Sequence, residues 1–398
     1  MRHIILGNGA AAVTAAEKLR ELRAEDDIVV ISREDAPAYS KCMLPDYVGG
    51  KMTKEKIYIR TPEAYRKKNI ELMLDCCVEN IDTTGRKVYL QNGKWVGYDK
   101  LLVAIGGTPF LPPVEGLDRA EYYSINSVRD ADTIREKASK GGKAVIMGGG
   151  LTGIEMAFAL SRLGMQATLV EREPKLLPLQ LDVNSSRVME KHMGKEGITV
   201  LTGTTVCGVN EEGSKCIRFS DGRHLDYDML LVAVGTRPNL NMIKDTGIKY
   251  GRGILVDSYM QSSVQDVFAA GDVAEAVNKM SSEYVTSYIW PNAIAQGKCA
   301  AYNMAGISNE FSCNSLMQNM VQMRDMPFIS MGMVNPKGEG YEVLVKDEVE
   351  NGIYKRLVLK ENRLKGMILI GDTRKANTLG SLIRKEEDIS GLKNTLLA

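Results

Sequence analysis

Residues 98–107 read YDKLLVAIGG and residues 227–236 read YDMLLVAVGT, with seven of the ten positions identical. Each copy is an apolar run that ends at a glycine, which is typical of a buried strand followed by a tight turn. One such run carries little information. A repeat of it within 398 residues predicts two copies of one structural unit, and the rest of the chain is organised around them.

A glycine fingerprint precedes each copy of the repeat. Residues 7–12 have the form G-x-G-x-x-A, and residues 148–153 have the form G-x-G-x-x-G. The first glycine permits a tight turn, the second lets the backbone approach a pyrophosphate, and the third position lets helix and strand pack closely. Because a strand precedes and a helix follows each fingerprint, the sequence predicts two dinucleotide sites, each with its diphosphate at a helix N-terminus.

The elements around both fingerprints follow the order strand, helix, strand. The predicted elements are 3–7, 10–23 and 28–31 in the first half, and 143–147, 151–163 and 167–170 in the second. Right-handed crossovers of this kind produce parallel sheets. The fold class is therefore predicted as α/β, with two Rossmann-like dinucleotide-binding domains and a small α+β domain at the C-terminus.

Proline-containing stretches indicate where the chain passes between domains. Pro109, Pro112 and Pro113 lie between the halves, and TRPN at 236–239 is the expected return. The predicted domains are a discontinuous first domain (1–112 and 240–310), a second domain (113–239) and a C-terminal domain (311–398). The last has short strands such as 342–345 and 353–359, a helix near 379–385 and no cofactor motif.

Composition excludes several classes of function. The net charge is +1, from 51 basic and 50 acidic residues, which gives no reason to expect nucleic-acid or membrane binding. No apolar run approaches the roughly 20 residues of a membrane span, so the cytoplasm is the expected location. The seven cysteines are irregularly spaced and include no C-x-x-C, so neither a disulfide scaffold nor a metal site is expected. Residues 70–78 are predicted as one apolar strand that packs Cys76 and Cys77.

An acidic residue after the second strand of such a unit binds a ribose hydroxyl. Glu171 holds this position in the second unit, where it would repel the 2′-phosphate of NADPH, so NADH is predicted. Arg172 follows and could accept that phosphate, which leaves NADPH open. In the first unit the nearest acid is Glu34.

Three further runs carry a family resemblance. VFAAGDVAE at 267–275 resembles the second FAD motif of the flavin-dependent pyridine nucleotide–disulfide oxidoreductases, and residues 290–297 resemble the helix that points at the flavin in that family. AIGGTP at 104–109 is similar to a turn of the family, with Ile105 in place of the usual threonine. The resemblance implies FAD at the first site and NAD at the second, with Asp272 on a ribityl hydroxyl, Val78 near the adenine and Glu155 near the nicotinamide.

Together, the fingerprints and the resemblance predict a set of cofactor-binding residues in each half. For FAD these are Gly7, Gly9, Ala10, Ala12, Glu34, Lys41, Val78, Ala104, Gly106, Gly271, Asp272 and Trp290, and for NAD they are Gly148, Gly150, Gly153, Glu171 and Gly235.

The C-terminal run YKRLVLKENRLKGMILIGD (354–372) is similar to NADH–rubredoxin reductases and to the flavin module of assimilatory nitrite reductases. That resemblance implies electron transfer from NADH through FAD to a redox protein such as rubredoxin or ferredoxin, or to an iron–sulfur partner subunit, in either direction. It leaves a homo-oligomer open.

Cys42, Lys41 and Glu155 are the candidate catalytic residues. Disulfide reductases of the family carry C-x-x-x-x-C where this chain reads YSKCMLPDYVGG (39–50), with a single cysteine. Cys42-Met43-Leu44-Pro45 resembles the C-x-L-P of coenzyme A disulfide reductases and NADH oxidases or peroxidases, in which a thiolate reacts. Lys41 instead matches the electron-transfer branch, in which Cys42 would be a small apolar residue. We favour electron transfer because of the short C-terminal domain; a subunit that only senses redox state is a third hypothesis.

Overall fold

The structure is a computed structural model that describes residues 1–211, 213–277, 283–311, 318–323 and 326–397, with the backbone alone for 318–323 and 394. The α/β class predicted from the sequence is confirmed, with two parallel sheets followed by an antiparallel one. No helix in these ranges is long and apolar enough to cross a bilayer.

The first parallel sheet has five strands and carries the first glycine turn. Its strands, in spatial order, are Val267–Ala269, Lys100–Val103, Arg2–Leu6, Asp27–Ile31 and Ile70–Met73. Two helices, Ala10–Leu22 and Trp290–Met304, pack against each other so closely that a Cβ on Gly297 would lie 2.3 Å from the Ala11 carbonyl oxygen. Their small residues thus hold the end of the second helix beside the glycine turn.

The second parallel sheet repeats the arrangement with four strands. Its strands, in spatial order, are Thr199–Leu201, Gln166–Val170, Lys143–Met147 and Met229–Val232, with helices Val128–Ala138, Leu151–Arg162 and Val183–Lys195. Alternating apolar residues of these elements form a buried core around Ile146, Ile154 and Leu169. The periodicity of the sequence therefore predicted which elements flank both fingerprints.

The aspartate of each YD repeat accepts a hydrogen bond at the start of an interior strand of its sheet. The Asp99 carboxylate accepts the backbone N–H of Arg2 at 2.7 Å, and Asp228 does the same for Lys143 at 2.7 Å. Each acceptor satisfies the first backbone donor of the strand that leads to a glycine turn. The repeat is thus conserved within the chain for a structural reason that is independent of any ligand.

Short sheets and helices connect these layers. One antiparallel sheet comprises Val78–Asp82, Lys87–Leu90 and Trp95–Gly97, and a second comprises Val206–Asn210, Cys216–Phe219 and His224–Asp226. A third sheet is mixed and comprises Ile254–Val256, Ala274–Val277 and Tyr284–Thr286. Short helices are Leu44–Val48, Lys54–Ile57 and Pro62–Lys67, with 3₁₀ turns at Lys41–Met43, Asn241–Ile243 and Val349–Asn351. The two passages between the halves pair antiparallel as a ribbon, Thr108–Pro109 with Thr236–Arg237.

The prediction of one strand over 70–78 is wrong. The strand ends at Met73, and a new strand begins at Val78 in a different sheet. Asp75, between them, has a positive φ of 49°, a conformation that ends an extended run. Cys76 and Cys77 therefore lie in a connection and not within a strand.

The C-terminal sheet is antiparallel with the spatial order Gln318–Met323, Met326–Gly332, Arg363–Ile370, Ile353–Lys360 and Tyr341–Glu348. Helices Ala376–Lys385 and Lys393–Leu396 follow it. One face of the sheet packs on the first of these helices through residues such as Leu357 and Leu379. The opposite face is tied to the middle of the chain, because Asp182 accepts a hydrogen bond from Tyr354 Oη at 2.6 Å and lies 3.1 Å from Arg356.

Candidate active site

A cleft of about 350 Å³ opens at the carboxyl end of the first parallel sheet. This is where ligands bind in open α/β sheets, and the volume is within the range of ligand pockets. Gly7 makes the turn with φ +105°, and a Cβ there would lie 2.3 Å from the Ala104 carbonyl oxygen. A Cβ on Gly9 would meet no atom within 4 Å, so the space above this glycine is open to the cleft.

The structure brings together most of the residues predicted for the first site. All of them line the cleft except Ala12, which is fully buried on the helix below the turn. The lining members are Gly7, Gly9, Ala10, Glu34, Lys41, Val78, Ala104, Gly106, Gly271, Asp272 and Trp290. They come from stretches nearly 300 residues apart in the chain, and their contact with a cofactor stays a prediction.

An orphaned polar atom shows that the cleft suits a polar ligand. The Asn8 side chain accepts a hydrogen bond from Tyr65 Oη at 2.6 Å, but its buried Nδ2 donor has no partner among the described residues. An unpaired buried donor costs about 1–3 kcal/mol. Asn8 lies within the glycine turn and lines the cleft, where a diphosphate oxygen would accept this donor. The residues present therefore fit a dinucleotide.

Glu34 and Lys41 meet at one wall of the cleft. Tyr39 Oη donates to the Glu34 carboxylate at 2.5 Å, and Lys41 Nζ lies 3.7 Å from the same carboxylate and 3.3 Å from Asn126 Oδ1. Glu34 keeps accepting capacity because a carboxylate offers about four lone-pair sites. Lys41 is thereby held over the cleft by groups from two separate parts of the chain.

Asp272 also lines the cleft, three residues after the end of the strand Val267–Ala269. The preceding Gly271 donates its N–H to the buried Gln296 side chain at 2.8 Å, which fixes the turn against the helix Trp290–Met304. Burial raises the pKa of Asp272, and Lys41 opposes that shift. The lysine and the aspartate therefore interact electrostatically within the cleft.

Cys42 lies where the two halves meet. The residue as a whole is exposed and lines the cleft, whereas its thiol is largely surrounded by protein atoms. Burial of the thiol raises its pKa, and the carboxyls of Glu155 and Asp272 raise it further. These two carboxyls belong to different halves, since Glu155 is on the helix Leu151–Arg162 of the second fingerprint. A raised pKa disfavours a standing thiolate, although Lys41 precedes this cysteine.

The second glycine turn has the same backbone geometry as the first. Gly148 has φ +111° and would place a Cβ 2.4 Å from the Ala233 carbonyl oxygen, while a Cβ on Gly153 would lie 1.9 Å from the Gly148 oxygen. Gly150 and Gly235 have no neighbour within 4 Å of an ideal Cβ. Close packing therefore requires glycine at positions 148 and 153, whereas Gly150 and Gly235 have open space beside them.

Glu171 folds back onto this second turn. Its carboxylate accepts the backbone N–H groups of Gly149 at 2.6 Å and Glu173 at 2.8 Å. Arg172 is exposed and pairs with Glu173 at 3.2 Å. The carboxylate is therefore fixed beside the glycine turn, and the arginine is engaged by a neighbouring acid.

Glu155 lies in the part of the second half that faces Cys42. Burial, assisted by the negative charge of Asp46, raises the pKa of Glu155 to about 7, and Lys51 opposes this shift. Asp46 and Lys51 form an ion pair of 2.8 Å. Glu155 therefore changes its charge near neutral pH, a property often found at reactive sites.

Several cleft residues were missed from the sequence. Asn8, Tyr39, Asn126 and Tyr288 line the cleft, as do Cys76 and Cys77, which were assigned to packing. Asn8 could have been found because it occupies a variable position of the first fingerprint. Asn126 has no local signal, since only the fold brings it to Lys41.

This chain belongs to the pyridine nucleotide-disulphide oxidoreductase family, whose profile matches residues 1–297. Residues 318–387 match the rubredoxin NAD+ reductase C-terminal domain. The family resemblance seen in the sequence is confirmed, and membership implies FAD and NAD(P)H as cofactors.

Individual relatives agree with this assignment. The chain is 30% identical over 389 residues to the NADH-rubredoxin oxidoreductase of Clostridium acetobutylicum, covering 97% of this chain and 94% of the relative. The crystal structure of NADH:rubredoxin oxidoreductase from that organism superposes with a TM-score of 0.80 at 27% identity, over 98% of this chain and 97% of the other. A Bacillus subtilis nitrite reductase [NAD(P)H] is 31% identical over 97% of this chain, which spans only 48% of that relative's length.

Proposed function

We propose that the chain is an FAD-dependent NADH oxidoreductase that passes electrons to a small redox protein of the rubredoxin or ferredoxin kind, or to an iron–sulfur partner subunit. The observation that carries the proposal is the position of Cys42, which lines the cleft of the first half and whose thiol is affected by the carboxyl of Glu155 in the second half. Two dinucleotides bound at the two turns would meet there. The C-terminal match to a rubredoxin reductase domain favours a protein acceptor.

The residues have separate tasks in this proposal. Bound FAD would supply hydride acceptance and one-electron release, which no side chain provides. Gly9 and the helix that follows it would hold the diphosphate, and Asn8 would give it the unused Nδ2 donor. Asp272 would accept from a hydroxyl of the cofactor. Lys41, held by Glu34 and Asn126, would place a positive charge beside the flavin.

For the nicotinamide cofactor we propose NADH over NADPH. The Glu171 carboxylate is fixed by two backbone donors beside the second glycine turn, where it would bind a ribose hydroxyl and repel a 2′-phosphate. Arg172 is exposed and pairs with Glu173, and an exposed pair of this kind competes only weakly with a phosphate, so the preference for NADH rests on Glu171. A kcat/KM for NADPH equal to or above that for NADH would refute this assignment.

Cys42 has no redox role in this proposal. Burial and the carboxyls of Glu155 and Asp272 raise the pKa of its thiol, which disfavours the thiolate that thiol chemistry needs. A thiol-dependent reductase of small disulfides or peroxides is the second candidate, favoured by the exposure of Cys42 to the cleft. We further propose the domain bounds 1–112 with 240–310, 113–239 and 311–398.

A cysteine substitution separates the two candidates. Under exclusion of air, Cys42→Ser is expected to retain most of the NADH-dependent reduction of rubredoxin or ferredoxin. Cys207→Ser is the matched control, because Cys207 is a partly buried thiol on the strand Val206–Asn210, outside the cleft. Loss of transfer in Cys42→Ser alone would favour thiol chemistry.

A flavin titration tests the third hypothesis. If the chain only senses redox state, added NADH would leave bound flavin oxidised for many minutes. Rapid bleaching of the flavin absorbance without air is the result expected for an oxidoreductase.

A further inference from the structure

The loop that begins at Glu171 is tied to the second glycine turn at two points. It spans residues 171–181 and leads into the helix Val183–Lys195. At the start of the loop the Glu171 carboxylate accepts the Gly149 N–H at 2.6 Å, and further along the Leu177 N–H donates to the Gly149 carbonyl oxygen at 2.9 Å. Gly149 is the middle residue of the turn, so the 171–181 loop holds both of its backbone groups.

The contact between the loop and the turn is also close-packed. A Cβ on Gly149 would lie 2.8 Å from Leu176 Cδ2 and 2.9 Å from Glu171 Cβ. Atoms packed at this density transmit a displacement to their neighbours. A shift of the 171–181 loop therefore moves the turn at which the diphosphate of a nucleotide would be bound.

Leu177 has a backbone conformation that leucine rarely adopts. Its φ is +47°, in the left-handed region where the side chain crowds the following carbonyl group. Such a conformation persists only where the surrounding contacts determine it, and it is often found at ligand-binding sites. Leu176, Leu177 and Leu181 are fully buried. Leu179, between them, is 70% exposed, so the loop makes a bend with a buried base and an open tip.

The C-terminal sheet donates hydrogen bonds to this bend. Ser330, buried on the strand Met326–Gly332, donates its hydroxyl to the Gln180 carbonyl oxygen at 2.9 Å. Asn335, three residues after that strand, donates Nδ2 to the Leu181 carbonyl oxygen at 2.9 Å. Two residues of the C-terminal sheet region thus hold the backbone of a loop that lies about 150 residues earlier in the chain.

Further contacts strengthen this attachment. Asn335 Nδ2 also lies 3.4 Å from the Pro178 carbonyl oxygen, so one amide group spans the bend. Val334 is buried in the same core as Leu181. Lys175, within the loop, also donates to the Leu181 carbonyl oxygen. The C-terminal sheet therefore completes a bend that the loop stabilises only in part.

We propose that Ser330 and Asn335 are positioning residues of the nicotinamide-nucleotide site, so that the C-terminal sheet forms part of that site. The inference rests on the proposed binding of NADH at the second glycine turn. The two donors fix the bend of the 171–181 loop, and the loop fixes Glu171 for the ribose and the turn for the diphosphate. Neither donor lines the cleft of the first half, so their removal weakens nucleotide binding and leaves flavin binding unchanged.

ADP-ribose is the probe for this role, because it carries the adenosine ribose and the diphosphate but no nicotinamide that could react. Calorimetric titration of the whole, FAD-loaded chain gives the dissociation constant of ADP-ribose without turnover. Asn335→Ala should raise this dissociation constant about tenfold, and Ser330→Ala about fivefold. Asn335→Gln retains an amide donor on an exposed side chain and should recover most of the affinity.

Glu350 provides the matched control. Lys191 Nζ on the helix Val183–Lys195 lies 2.6 Å from the Glu350 carboxylate. This ion pair also joins the C-terminal region to the middle of the chain, but it involves no residue of the 171–181 loop. Glu350→Gln removes it and should leave the dissociation constant of ADP-ribose unchanged. Melting curves by circular dichroism separate lost stability from lost binding in every variant.

Steady-state kinetics with excess ferricyanide as acceptor give a second readout. In Asn335→Ala the KM for NADH should rise about tenfold while kcat stays within about twofold, because only nucleotide binding is affected. A purely structural role of Asn335 would lower the melting temperature and leave KM as it is.

Unchanged ADP-ribose binding in both Asn335→Ala and Ser330→Ala, with NADH still oxidised by the unaltered chain, would overturn this inference alone. An equal loss of affinity in Glu350→Gln would also overturn it, since any weakening of the attachment would then suffice. If Ser330→Ala folds poorly, Asn335→Ala decides, because Asn335 is exposed and its truncation leaves no buried cavity. If the unaltered chain neither binds ADP-ribose nor oxidises NADH, the proposed function fails, and the inference fails with it.

Discussion

Replacing Glu155 with glutamine should remove a pH-dependent loss of folding stability that this buried carboxyl causes. Burial, with a contribution from Asp46, raises the pKa of Glu155 from its usual 4.5 to about 7. The folded chain therefore holds this proton more tightly than the unfolded chain. The loss of unfolding free energy is absent below the pKa of Glu155 in the unfolded chain. It grows as the pH rises from that pKa to the pKa in the folded chain, and it is complete above the latter. Since one pKa unit corresponds to about 1.4 kcal/mol, the full cost is about 3 kcal/mol.

Urea denaturation from about pH 5 to about pH 9 measures this cost. On raising the pH, the unaltered chain should lose about 2–3 kcal/mol more unfolding free energy than Glu155→Gln. Asp46→Asn removes a negative neighbour and should move the transition to lower pH, whereas Lys51→Met should move it to higher pH. Parallel pH curves for the unaltered chain and Glu155→Gln would refute the reasoning, as would shifts of the same sign in the other two variants.

Three further predictions follow from the turns and the interface with the C-terminal sheet. Gly7→Ala forces a Cβ to 2.3 Å from a carbonyl oxygen and should lower the melting temperature. The new Cβ of Gly9→Ala meets no protein atom within 4 Å, so this variant should keep the fold but lose bound flavin. Equal flavin content in Gly9→Ala and the unaltered chain would contradict this. Glu171→Ala should raise the NADPH to NADH ratio of kcat/KM about tenfold, and an unchanged ratio would exclude a role in ribose recognition. Asp182→Ala removes a helix cap together with the partner of Tyr354 and Arg356. Urea denaturation should show that the free energy of unfolding falls by about 3 kcal/mol. A decrease below about 1 kcal/mol would show that this contact contributes little to stability.

The sequence predicted the parts of the fold that depend on local pattern. The glycine fingerprints, the apolar runs after Asp99 and Asp228 and the periodic helices all act within a few residues, so their effect is visible along the chain. The strand–helix–strand order around the fingerprints predicted the α/β class, and the family resemblance implied FAD and NAD. For the same reason most first-site residues belong to motifs, and the structure gathers them in one cleft.

The remaining features depend on contacts that no local pattern records. Asn126 is 85 residues from Lys41 and is brought to it only by packing between the halves. The environment of Glu155 depends on Asp46, more than a hundred residues away in the chain. The end of the strand at Met73 was missed because apolar residues continue beyond it. The positive φ of Asp75 is set by the folded structure and has no signal in the local sequence.

The ribbon formed by Thr108–Pro109 and Thr236–Arg237 means that the two segments that connect the middle third of the chain to the rest lie side by side. Phe110 and Arg237 stack across it, with the guanidinium carbon 3.8 Å from the ring centre. Topologically, the whole middle third is an insertion whose two ends touch. A short splice from Pro109 to Thr236 would bridge neighbouring backbones and leave the strand order of the first sheet unaltered.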